Sequence, residues 1–271
     1  MKPQDYAMTI LLVVLGGLIW LRDLSWLSAA ADTLPILASL VLLYWLGRPW
    51  QFTRKALPLE TGPVALACLL AISGVALNVT LLLALAWTAL LWACLTTRLP
   101  ANQRFRVRRL LPLAVLAFPW IALDGEALGW WFRLSGAWAT SQVFGWLQLD
   151  VARDGTLLSV QGLPVSVEAA CSGLNALQAM LIAGTLAAYV QIGDRKHYWW
   201  HLPALVAVAW LANTLRILVI CVMALSAGPE LASGSFHFLG GWAVLCGMFC
   251  ICWIIFHVAA RYEAAPLRPV Q

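Results

Sequence analysis

Long apolar runs separated by short polar segments set the pattern of this chain. Such runs fall at roughly 7–21, 33–47, 61–77, 79–95, 110–123, 169–192, 202–226 and 237–260. A membrane-crossing helix needs about 20 mainly apolar residues, so the pattern predicts about eight spans. The first two spans and the turn from Ser73-Gly74 to Asn78 have the least sharp boundaries, and Pro112 and Pro119 should kink the fifth. Between 124 and 168 the pattern changes. Its first half is aromatic (Trp130, Trp131, Phe132, Trp138, Phe144, Trp146), which suits a helix lying at headgroup level. Its second half places Asp154-Gly155 between short β-prone runs from Val151 to Val160, the signature of a hairpin. Leu163 to Val167 then alternates and leads into Glu168. The expected fold class is therefore all-α. It is a single integral membrane domain over 1–271, a polytopic transmembrane helix bundle with a small extracytoplasmic helix-plus-hairpin cap. Residues 1–123 supply five helices, 124–168 the cap, and 169–260 a three-helix core.

Composition agrees with that reading. The chain is 62% hydrophobic and 11% charged, with mean hydropathy +0.84, and a soluble surface cannot be built from that balance. Loop charge then orients it. With the N-terminus inside, 13 of the 17 Lys and Arg fall on inner segments, including Arg48, Arg54, Lys55, Arg98, Arg104, Arg106, Arg108 and Arg109. Arg22, Arg133 and Arg153 fall outside, as the positive-inside rule allows. The net charge of +5 thus reports topology and gives no sign of nucleic acid. Residues 8–21 followed by Ala29-Ala30-Ala31 faintly resemble a secretory signal, but Arg22 and Asp23 interrupt it, so the segment reads as a retained anchor.

A small set of polar residues breaks the apolar pattern. Six cysteines, Cys68, Cys94, Cys221, Cys246, Cys250 and Cys252, lie within apolar helices and read as packing. No zinc spacing, disulfide framework or cofactor motif is present. Cys171 differs. It opens the sixth helix at its outer end, where unpaired amides and the helix dipole favour a thiolate. Arg216 falls inside the seventh helix, where a charge costs about 2.5–3.5 kcal/mol on insertion scales and marks function by default. Asn213 lies three residues earlier on the same face, and Glu168 at the rim is the nearest plausible counter-ion. His197 and His201 read as inner-loop solvent or interface residues, and so does His257 near the inner end of helix eight. His237 starts helix eight on the side of Cys171. By helix rise, Arg216 lies about 14 Å below the end of its helix, deeper than Cys171 and His237.

The stretch Glu168-Ala-Ala-Cys171-Ser172-Gly173, then Asn213-x-x-Arg216-Ile217, then His237 before Gly240-Gly241, resembles the exosortase/archaeosortase family over about residues 130–245. The resemblance implies a membrane-embedded cysteine protease–transpeptidase on the outer face of the bacterial inner membrane, with both termini cytoplasmic. Its partners would be membrane-anchored proteins ending in a short motif, a transmembrane helix and a basic tail, as in PEP-CTERM proteins. Cys171 would be the nucleophile and form a thioester, with Arg216 and His237 its catalytic partners. Glu168, Ser172 and Asn213 would stand behind them. Either His237 or Arg216 would serve the thiolate, as base or as ion-pair partner. Two alternatives remain open from the residues: a protease that only hydrolyses, and a non-catalytic membrane subunit of polysaccharide export or assembly.

Overall fold

The computed structural model describes residues 3–28, 30–53, 57–166, 174–228 and 235–264. It is 78% helical and divides into two units, Met1–Gly125 and Glu126–Gln271, each described by itself. Thr80–Arg98, Tyr198–Ala227 and Ala243–Tyr262 are long and apolar enough to cross a membrane, and Tyr6–Leu21, Asp32–Leu46, Thr61–Ala76 and Leu177–Ile192 are shorter apolar helices. Large apolar side chains such as Val13, Ile72, Val75 and Ile254 are exposed, as befits helices meant for lipid.

The first unit contains α1 (Pro3–Leu21), α2 (Ala30–Leu46), α3 (Thr61–Ala76), α4 (Thr80–Arg98), α5 (Ala101–Arg108), α6 (Leu111–Leu116) and α7 (Trp120–Leu123). Helix α4 is its axis, with Ala84, Ala86, Leu90 and Ala93 buried on several sides. Helix α3 turns back onto it through Asn78, at φ 57. A Cβ on Gly74 would stand 2.8 Å from Leu83 Cδ2, so glycine sets how closely the two helices approach. Helix α1 meets α4 where the Trp87 indole donates to the Leu12 carbonyl at 2.8 Å.

The predicted fifth span is not one helix. Pro112 sits in the first turn of α6, where its missing N–H costs nothing. Pro119 cannot donate, and it biases Phe118 away from helical geometry, so α6 and α7 separate at residues 117–119. The Trp20 indole donates to the Ala117 carbonyl at this break, at 3.0 Å. Trp20 and Trp87 both pack on the Phe118 ring, at 5.9 and 5.0 Å between centroids. Just beyond α7, the Asp124 carboxylate accepts from the Thr80 and Leu81 amides at 3.0 and 2.7 Å, capping α4 from a distant part of the chain. Arg22 donates to Asn78 and Thr80 at the same end. Helix α5, not anticipated from hydropathy, follows α4 directly.

The second unit holds α8 (Gly125–Trp146), strands β1 (Val151–Asp154), β2 (Leu157–Val160) and β3 (Leu163–Ser166), then α9 (Leu174–Ile192), α10 (His201–Ala227) and α11 (Ser235–Ala264). Helices α9, α10 and α11 pack on one another. A Cβ on Gly184 would lie 2.2 Å from Leu205 Cδ2, which fixes a close approach of α9 to α10. Arg195 donates to the Ala260 carbonyl at 3.1 Å, tying the α9–α10 turn to the end of α11. The sheet is a three-stranded antiparallel meander in order β1-β2-β3, so the expected hairpin gains a third strand. Its register pairs Val151 with Val160 and Leu158 with Val165. Gly155 at φ 58 opens the first turn, and Gln161 and Gly162 at φ 53 and 77 form the second, which is the backbone a tight hairpin needs.

His201 departs from expectation. It is 2% exposed, not a solvent residue. Its Nδ1–H donates to the Tyr198 carbonyl, its Nε2 lies 3.5 Å from Thr185 Oγ1, and the Tyr198 ring packs against it. A turn of 3-10 helix over Tyr198–Trp200 brings the imidazole inward.

Asp124 supplies a direct test of the capping. Replacing it by Ala leaves two α4 amides without their acceptor, and hydrogen bonds to a charged group contribute about 1.5–3 kcal/mol each. Asp124→Ala should lower the thermal unfolding midpoint of the detergent-solubilised protein, and Asp124→Asn should lower it less.

Candidate active site

Of the residues singled out by sequence, Arg216 and Asn213 have their surroundings described. Both lie on α10, one turn apart and on the same face. Arg216 is partly buried, with its Nε enclosed. Asn213 is 2% exposed, and neither its amide nitrogen nor its amide oxygen has a hydrogen-bond partner among the described residues. Buried polar atoms are nearly always paired, so this carboxamide is an outlier. His237 falls in the first turn of α11, and nothing further is described of its side chain. Glu168, Cys171 and Ser172 lie outside the described residues.

Two neighbours pack on the stretch of α10 that carries Arg216. The first is α8, which comes close to α10 where its residues are small. A Cβ on Gly136 would stand 2.9 Å from Ile217 Cδ1, 3.7 Å from Thr214 Oγ1 and 3.8 Å from Asn213 Nδ2. The adjacent Ser135 accepts from the Trp210 indole at 2.9 Å. One turn beyond Gly136, Thr140 is fully buried with its hydroxyl unpartnered among the described residues. The second neighbour is the sheet. Leu158 and Val160 of β2 are fully buried in one cluster with Ala137 and Phe144 of α8 and Ile217 and Cys221 of α10. The residue next to Arg216 is therefore packed against the sheet, whose last strand, β3, ends at Ser166.

Sequence reasoning missed the α8 contact. Its signal was Ser135-Gly136-Ala137, a small-residue run in an otherwise aromatic helix, and small residues let helix backbones approach. Of the six cysteines read as packing residues, Cys221 and Cys252 are buried and Cys94 is half-buried, whereas Cys68, Cys246 and Cys250 are exposed on their apolar helices.

Comparison with known families matches the chain to the model described as transmembrane exosortase (Exosortase_EpsH), over residues 2–254. The chain belongs to the transmembrane exosortase family. Searches of curated proteins and of solved structures give no match.

Two substitutions probe this packing. Gly136→Val should force α8 away from Ile217 and destabilise the protein by about 1–3 kcal/mol, the usual range for overpacking. It should also speed maleimide labelling of Cys221. Asn213→Leu removes two buried atoms that have no partner among the described residues; an unsatisfied buried polar atom costs about 1–3 kcal/mol, so the unfolding midpoint of this variant should match or exceed that of the parent.

Proposed function

We propose that the protein is a thiol protease–transpeptidase that cleaves C-terminal sorting signals at the outer surface of the membrane, with Cys171 as nucleophile and Arg216 and His237 as its partners. The observation that carries this reading is the packing of β2 on Ile217 and Cys221. Strand β3, paired to β2, ends at Ser166, only five residues before Cys171. The sheet is thus anchored one residue from Arg216 and feeds the thiol-bearing segment from there.

Depth supports the same reading. Tyr198–Ala227 comprises 30 residues, or about 45 Å of helix, against a hydrocarbon core of about 30 Å. With the sheet as the extracytoplasmic cap, α10 emerges from the hydrocarbon near Ile217. Arg216 then stands about 27 Å from Tyr198, at the outer boundary and not far below it.

Catalysis would then proceed through a thioester. The Cys171 Sγ attacks the scissile carbonyl carbon while the His237 imidazole takes the thiol proton. The Arg216 guanidinium stabilises the oxyanion of the tetrahedral intermediate, in surroundings of low dielectric where such a charge is most effective. Collapse breaks the C–N bond, and His237 returns the proton to the departing amine. A second amine attacking the thioester completes transfer, and water in its place gives hydrolysis. The substrates would be membrane proteins with a short motif, a transmembrane helix and a basic tail.

Processing of such a substrate in cells is the test. Cys171→Ala and Arg216→Ala should abolish conversion while the protein still inserts. Arg216→Lys should fail badly, because an ammonium lacks the planar fork of guanidinium. His237→Ala should be severe, whereas Cys246→Ala, Cys250→Ala and His257→Ala should remain active. Wild-type processing by Cys171→Ala would sink the thioester mechanism, and a reporter inserted after Asp154 that proved cytoplasmic would sink the location.

A further inference from the structure

A second surface stands out in the first unit, at the end of α4 away from Asp124. Between Glu60 and Asp124 the chain carries Arg98, Arg104, Arg106, Arg108 and Arg109 and no acidic residue. Four of these five lie on or directly beside α5, which starts three residues after the apolar helix Thr80–Arg98 ends. A segment so placed sits at the depth of lipid headgroups.

Helix α5 is amphipathic in an unusual way. Gln103 and Val107 are buried on its inner face, while Phe105 is 50% exposed and flanked by exposed Arg106 and Arg108. Arg104 donates to the Leu99 carbonyl at 2.9 Å, closing the end of α4. Arg109 is buried with its guanidinium 4.1 Å over the Phe105 ring. Arg106 and Arg108 make no hydrogen bond or ion pair among the described residues. Two cations are thus left facing outward around an aromatic ring.

The surface beside them is rigid. The Gln103 side chain accepts from the Gln51 amide at 3.2 Å and donates to the Pro49 carbonyl at 2.6 Å. Thr53 donates to the Arg98 carbonyl from both its amide, at 2.8 Å, and its hydroxyl, at 2.9 Å. These bonds hold the segment 49–53 against the α4–α5 junction. They fix the stacked pair Trp50–Phe52 there, with Phe52 59% exposed. Exposed aromatic rings beside unpaired cations, at the end of an apolar helix, match the boundary between acyl chains and headgroups.

We propose that α5 and the segment 49–53 form a binding site for an anionic phospholipid of the adjoining leaflet. Arg106 and Arg108 hold the phosphate, and Phe105 and Phe52 enter the acyl boundary. Five arginines and no acidic residue fall between residues 60 and 124, and Glu60, which precedes α3, is the nearest carboxylate in the sequence. This inference does not depend on the thioester mechanism.

The test titrates dioleoylphosphatidylglycerol and dioleoylphosphatidylcholine into the full-length protein in a neutral detergent, with bound lipid counted by native mass spectrometry. Phosphatidylglycerol should be retained in preference. Each basic residue near an anionic surface contributes about five-fold in affinity. Arg106→Gln with Arg108→Gln should therefore weaken phosphatidylglycerol about 25-fold and leave phosphatidylcholine unchanged. The single variants should each cost about five-fold, which keeps the test decisive if the double variant does not fold. Arg106→Lys with Arg108→Lys should retain most of the binding, and Arg153→Gln all of it. Equal retention of the two lipids, or an unaltered preference in the Gln variants, overturns the proposal. So does an Arg153→Gln loss as large as theirs, or displacement of the lipid by millimolar inorganic phosphate.

Discussion

Backbone carbonyls and amides that helix ends and breaks leave over must find partners inside the protein, because hydrocarbon supplies none. Most polar contacts of the first unit follow from this constraint. The Trp20 and Trp87 indoles donate to the Ala117 and Leu12 carbonyls. Asp124 accepts from the first amides of α4. At the other end of that helix Thr53 serves the Arg98 carbonyl and Arg104 serves Leu99. A bundle rich in Trp gains twice from this, since each indole supplies apolar bulk and one donor. The same demand explains how the Pro119 break is tolerated: the chain bends where a donor is within reach.

The second unit meets a different demand, that of bringing polar chemistry onto apolar helices. Close approach at Gly136 and Gly184 depends on missing side chains. At Gly136 it encloses Asn213, Thr214 and Ile217. There the rule of full pairing is relaxed, with the Asn213 carboxamide and the Thr140 hydroxyl unpaired among the described residues. Unsatisfied polar groups beside an arginine in an apolar setting are costly to keep.

The two units also separate two uses of arginine. Arg216 is single, partly enclosed and one residue from a packed cluster. The arginines of α5 are several, and Arg106 and Arg108 among them are outward-facing next to exposed aromatic rings. A guanidinium in the first setting acts as a fixed local field. In the second it meets mobile counter-charge, which salt and lipid composition can modulate.

Much of the fold was legible in the sequence. Apolar runs report burial or lipid contact residue by residue, so α1 to α4, α10 and α11 fall within a few residues of the predicted spans. The Asp154-Gly155 turn was equally local, since backbone at positive φ calls for glycine. Residue types in order, Cys171, then Asn213 and Arg216, then His237, carried a resemblance to the exosortase family, and membership of that family bears the resemblance out. Helix α5 was hidden because its charge hides the buried Gln103 and Val107 from any hydropathy pattern. The burial of His201 depends on Thr185 and Tyr198, the latter set by a short 3-10 turn that has no periodicity of its own. The enclosure of Asn213 depends on which helix crosses α10, and the packing of β2 on Ile217 depends on contacts about sixty residues apart in the chain. Local pattern determines which segments are helical and which face is apolar. Only packing between distant segments decides which face meets which, and so where Arg216 stands relative to the sheet.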